Sequence, residues 1–142
     1  MKIIIGSDKD GLELKEYVKD CLEKSGYEIV DKTPKGADDF VDSAKSVAQA
    51  VVEQEGANGI LVDEYGVGSF MVANKIKGAI CAVVSEEHSA KMTKDHNNAT
   101  ILALGSGIVG KKLAKEIVDN FVGSEYSGGR HQVRVDMLNK ML

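Results

Sequence analysis

Short apolar runs punctuate the chain at Ile3–Ile5, Tyr27–Val30, Gly59–Val62, Ala79–Val84 and Ile101–Leu104. Runs this brief predict strands, buried on both faces where, unlike Tyr27–Val30 with its Glu28, they are uninterrupted. Between them, apolar residues return every three or four positions, the period of a helix covered along one face. Leu14, Tyr17, Val18, Cys21 and Leu22 mark the first such helix, with Glu13, Lys15, Glu16, Lys19 and Asp20 turned to water and Gly26 placed to end it in a left-handed cap. Ala44, Val47, Ala48 and Val51 mark a second, from Asp39 to about Glu53. A helix-like segment follows Gly66 and Gly68. Ser85 reads as the N-cap of the next helix, with Glu86 and Glu87 in the first turn, where the helix dipole favours acids. That helix runs to about Asp95 and closes at His96-Asn97-Asn98. Beyond Gly105-Ser106-Gly107, a last helix passes through Val109, Leu113, Ile117 and Phe121. Strand and helix alternating about five times require a parallel sheet with helices on both faces, an α/β three-layer Rossmann-like or flavodoxin-like sandwich.

Residues 123–142 fall outside that count. From Arg130 to Leu142 the pattern predicts one more helix, with Val133, Met137, Leu138 and Met141 as an apolar stripe that a completed sandwich of residues 1–122 leaves uncovered. A neighbouring subunit is expected to cover it, so the chain is expected to be an oligomer. A length of 142 residues suits one domain with a real core. The net charge of -4, the pI near 5.4 and the lack of a basic stripe argue against nucleic acid. No run of about 18 apolar residues is available to span a membrane. The opening Met1-Lys2-Ile3-Ile4-Ile5-Gly6 is too short for a signal peptide and is needed as a strand. Two isolated cysteines, Cys21 and Cys81, without metal-ligand spacing, fit a reducing compartment, and the protein is expected in the cytoplasm. Both cysteines fall at core-facing positions, where they act as small inert hydrophobes.

The richest stretch for chemistry is Asp63-Glu64-Tyr65-Gly66-Val67-Gly68-Ser69, where a buried strand passes through acids and two glycines into a helix. A turn of this kind directs backbone N–H groups outward, towards a phosphate, a carboxylate or an oxyanion, although a glycine turn can also serve only to reverse the chain. It lacks the third glycine of a dinucleotide fingerprint and the Gly-Lys-Ser/Thr of a Walker loop. Arg130 and Arg134, four apart on a predicted helix, suit a grip on one phosphate and equally suit a solvated basic face. His96-Asn97-Asn98 offers a proton-transfer group with amides that bond hydroxyls, or else a plain helix-closing turn. His88, one turn into its helix, reads as a surface residue. Topology separates these groups. The turns holding Asp8 and Gly66 lie at the carboxyl edge of the sheet, whereas His96 ends a helix that has run back to the opposite edge. If they serve one site, two chains must build it.

Gly6-Ser7-Asp8, the run from Gly66 to Gly78, Ser89-Ala90 with His96-Asn97-Asn98-Ala99, and the tail Gly128-Gly129-Arg130-His131-Gln132-Val133-Arg134 resemble the family of ribose-5-phosphate isomerase type B and galactose-6-phosphate isomerase. The likeness covers nearly the whole chain. Residues 63–73 and 128–141 look in particular like one subunit of the heteromeric galactose-6-phosphate isomerases. The resemblance implies interconversion of an aldose phosphate and a ketose phosphate through an enediolate, without metal or cofactor. It implies a cysteine at the end of the third strand as the base, and glycine-turn amides, from Gly66, Gly68 and Ser69 here, as oxyanion donors, with Asp8 alongside. It further implies that His96 opens the sugar ring, that Asn97 holds hydroxyls, that Arg130 and Arg134 hold the phosphate, and that members pair so that this histidine reaches a neighbour's glycine turn.

Three positions depart from the family pattern. Asp63 stands where the base cysteine is usual, Lys9 where a histidine follows Asp8, and Tyr65 where a threonine precedes the first turn glycine. Neither cysteine of the chain can substitute. The chain is therefore expected to be half an enzyme, lending His96, Asn97, Arg130 and Arg134 to a homologous cysteine-bearing subunit, LacB, with a phosphorylated hexose as substrate. One alternative keeps the chain self-sufficient, with Asp63 or Glu64 as the base on ribose or allose phosphates. Another is a phosphoacceptor receiver domain built on Asp8, Asp63 and Ser85. That reading lacks the lysine needed beyond strand five, where Gly105-Ser106-Gly107 stands, and a single acid after strand one would hold magnesium poorly.

Overall fold

A computed structural model describes residues 1–142. Its five strands, β1 (Lys2–Ser7), β2 (Glu28–Asp31), β3 (Asn58–Asp63), β4 (Cys81–Val83) and β5 (Ile101–Gly105), are all parallel in the order β2-β1-β3-β5-β4. Six helices connect and follow them: α1 (Leu12–Lys24), α2 (Phe40–Glu53), α3 (Val67–Ala73), α4 (Glu87–Asn97), α5 (Lys111–Val122) and α6 (Gln132–Asn139), with a 3-10 turn at Gly129–His131 before the last. This is the predicted α/β sandwich, with element ends shifted by a few residues.

The chain leaves β1 for β2 at one edge, then crosses back past β1 to β3, and right-handed crossovers put helices that link strands in opposite directions across the sheet on opposite faces. Side-chain alternation along the strands divides the core accordingly. Ile3, Ile5, Ile60, Val62, Leu102 and Leu104 pack under α1, α4 and α5, and Ile4, Leu61, Ile101 and Ala103 pack under α2 and α3. Each large aliphatic side chain so buried contributes about 1.5–3 kcal/mol of transfer free energy.

Three local expectations are corrected. Lys15 is fully buried rather than facing water, because its ammonium reaches Asp31 at 2.8 Å and the Thr33 carbonyl at 2.8 Å, partners supplied by the end of β2. Cys21 is only half-buried, at the margin of the α1 stripe, whereas Cys81 is in the core as expected and burial pushes its thiol up to about 12. Glu86, not Ser85, caps α4, with both carboxylate oxygens 2.9 Å from the Ser89 amide. As expected, Val133, Met137, Leu138 and Met141 stay exposed, and α6 has Val135 as its one buried residue.

Candidate active site

At the carboxyl edge, the register sets Ser7 beside Val62 and Asp63 beside Gly105, so the turns after β1, β3 and β5 crowd together where the strand order reverses. Small ligands of open α/β sheets settle at such a point. Asp63 ends β3 and is buried. One carboxylate oxygen accepts the Gly66 amide, and the other accepts the Ser69 amide at 3.0 Å and the Ser69 hydroxyl at 2.9 Å. The amides predicted to point outward thus turn back onto the chain's own side chain. Gly66 makes this possible. Its φ is +79°, and a Cβ there would lie 2.9 Å from the carbonyl carbon of Leu104. The ring of Phe40 lies against Gly68, 2.6 Å from where a Cβ would stand.

Asp8 accepts the Gly11 amide at 2.9 Å. Burial raises its carboxyl above the usual range, the Gly11 bond works against that, and the charges of Asp63 and Asp10 add to the rise. Lys9 is exposed and pairs with Asp38 at 3.0 Å. Among these groups lies a cavity of about 210 Å³, lined by Asp8, Asp10, Asp63 and Glu64 together with Phe40, Tyr65, Val67 and Gly68. Its four carboxylates make it a poor resting place for a phosphate unless cations arrive from outside.

The cations lie at the opposite edge. Lys94, near the end of α4, donates to Asn58, the first residue of β3, so the α4 terminus sits about 16 Å down the strand from Asp63. Asn98 takes φ +53° and closes the helix. Ser127 then ties the tail to this end, its amide and hydroxyl both 3.0 Å from the Asp95 carbonyl. The tie brings the 129–131 turn over α4, and His96 stacks on His131 with ring centroids 4.2 Å apart and planes 14° from parallel. Partial removal from water, then the positive surroundings of His96, Arg130 and Arg134, hold His131 below the ordinary imidazole range. Arg130 lies in the 3-10 turn and not, as predicted, on the helix with Arg134. They are the only arginines in the chain and both are exposed. Every ion pair in the structure is made by a lysine, so neither guanidinium is neutralised within the chain. Asn97 is exposed; its carbonyl oxygen accepts the Thr93 hydroxyl at 3.0 Å, which leaves its NH₂ free to donate.

Of the predicted site residues, His96, Asn97, Arg130 and Arg134 therefore gather at one end of the sheet, and Asp8, Asp63, Gly66, Gly68 and Ser69 at the other. His88 is exposed and belongs to neither group. Sequence reasoning missed the buried pair Lys94 and Asn58. The only sign was a lysine in the last turn of a helix, where cations are common anyway. No helix is long and apolar enough to cross a membrane.

A family model described as Ribose/Galactose Isomerase matches residues 3–138. The chain is 58% identical over 142 residues to galactose-6-phosphate isomerase subunit LacA of Clostridium acetobutylicum, covering all of both chains. Among solved structures it is similar to ribose-5-phosphate isomerase B of Clostridium thermocellum, with a TM-score of 0.95 and 41% identity over 99% of this chain and 97% of that one. It also resembles ribose-5-phosphate isomerase B of Mycoplasma genitalium with bound ribulose-5-phosphate, with a TM-score of 0.93 and 37% identity over 98% and 94% of the two chains.

Proposed function

The chain belongs to the ribose/galactose isomerase family, and on that footing we propose that it works as the A subunit of a galactose-6-phosphate isomerase, converting D-galactose 6-phosphate to D-tagatose 6-phosphate together with a homologous cysteine-bearing B subunit. The carrying observation is the separation along β3: two unneutralised arginines and the His96–His131 stack at one end, and at the other an acidic cavity whose Gly66 and Ser69 amides already hold Asp63. Each chain then has half of what an anionic substrate needs. The missing half comes from across an interface.

In this reading Arg130 and Arg134 take the phosphate, the Asn97 NH₂ donates to a sugar oxygen, and His96 opens the ring by moving a proton from the anomeric hydroxyl towards the ring oxygen. The partner's thiolate removes the C2 proton of the open-chain aldose and returns it to C1. Amides of the partner's glycine turn stabilise the enediolate oxygen between the two steps. The self-sufficient alternative with Asp63 as base needs a free carboxylate there, but its oxygens already accept three hydrogen bonds. Family membership leaves no ground for the receiver-domain reading. We place the chain in the cytoplasm, treat residues 1–122 as the isomerase core and assign 123–142 to subunit contact. The test is isomerase assay of the purified chain, of its partner and of the two combined. Activity of the combination alone is the expected result; full turnover by the lone chain would overturn the proposal.

A further inference from the structure

Lys94 is 8% exposed, yet no carboxylate pairs with it. Its ammonium donates to Oδ1 of Asn58 and to the Ala99 carbonyl at 3.1 Å, and it lies 4.9 Å from the centre of the Phe121 ring on α5. Asn58 is itself buried, and its NH₂ lies 2.9 Å from the sulfur of Met1. A charge placed among neutral oxygens and an aromatic ring is costly, and an apolar side chain of similar length would fill the space without that cost. What the ammonium does, and an apolar chain does not, is fasten two segments. It joins the last turn of α4 to the first residue of β3, and it holds the chain just after the left-handed Asn98, whose successor's amide reaches back to the Thr93 carbonyl at 3.2 Å. At about 100° per residue, a residue two places on lies on the opposite side of the helix. With Lys94 inside, His96 is turned outward to meet His131.

We propose that Lys94 is a positioning residue for His96 and Asn97: its tether to Asn58 and Ala99 sets where the α4 terminus presents the imidazole and the carboxamide. The inference rests on the functional reading above for its catalytic consequence, but its structural claim stands apart from it. Burial lowers the lysine to about 8, in keeping with a group held by geometry and not by a counter-charge.

The test uses the full chain carrying Lys94→Met, Lys94→Arg or Asn58→Ala. In histidine ring NMR spectra of the wild type, His96 and His131 should show mutual ring-current shifts that the exposed His88 lacks. Lys94→Met and Asn58→Ala should move the His96 and His131 signals towards that of His88, and Lys94→Arg should restore them. In combination with the B subunit, Lys94→Met should lower kcat about 10-fold or more, with KM changed far less, since small displacements of a reacting group cost rate steeply. Folded variants with unaltered His96 and His131 signals would overturn the proposal, as would normal kcat in Lys94→Met. Asn58→Ala decides the matter if Lys94→Met does not fold. An inactive wild-type combination would remove the functional reading alone, and the histidine spectra would still decide the tether.

Discussion

A single side chain, Asp63, sits where the family's base is expected, and its hydrogen bonds define what it does. With two amides and a hydroxyl on its oxygens it acts as the cap of α3. Asp63→Asn in the combined enzyme is expected to leave kcat within about threefold, whereas loss of a working base costs about a hundredfold or more. Lys15 and Asp31 carry a second residue-scale prediction. Burial would by itself raise the Asp31 carboxyl, but the Lys15 ammonium, the Thr33 amide and Lys19 together outweigh it and hold it below its usual 3.8. A depressed carboxyl adds stability above its unfolded value and loses it as pH falls through the folded one. Urea midpoints of the wild type should therefore drop more steeply below about pH 4 than those of Asp31→Asn. The burial of Lys15 was not legible in the sequence. A charged residue among Glu13, Glu16 and Lys19 looks solvated, and Asp31, its partner, is distant along the chain.

At the scale of elements, the strands and the main helices were readable because the shortness of the apolar runs, together with the three-to-four-residue period between them, separates buried strands from one-sided helices. Their ends were less so: Ser85 and Glu86 are both competent caps, and the backbone selects the one that reaches the Ser89 amide. The bend between β3 and α3 depends on Gly66, with positive φ and β5 pressed against it. Gly66→Ala should destabilise the fold by about 2–4 kcal/mol, combining left-handed strain with overpacking, as read from thermal or denaturant unfolding. The α6 stripe was read correctly as apolar and without a partner in the core. That Val135 anchors the helix was not legible in the sequence, because it is not one of the stripe residues and only the docked helix shows that it faces inward.

Across the whole molecule, the separation of the two half-sites followed from topology before any coordinates, since a helix returning from a parallel strand must end at the other edge. The His96–His131 stack did not, because it depends on Ser127 folding the tail back over α4. Val133 and Met137 remain 62% and 61% exposed. Met137→Glu should leave the stability of the isolated chain within about 0.5 kcal/mol while abolishing assembly with the B subunit, as measured by sedimentation velocity, and with it the activity.

The strand that keeps His96 away from its own Gly66 also sets the genetics of such a pair. In the proposed pair, a lesion at His96 and a lesion at the partner's cysteine strike the same cavity. A lesion at Asp8 or Glu64 falls in the other cavity, where turnover has little to lose. Extra copies of the B gene cannot rescue a strain whose A chain has lost its imidazole, and each gene's tolerance of mutation is concentrated at opposite poles of its product.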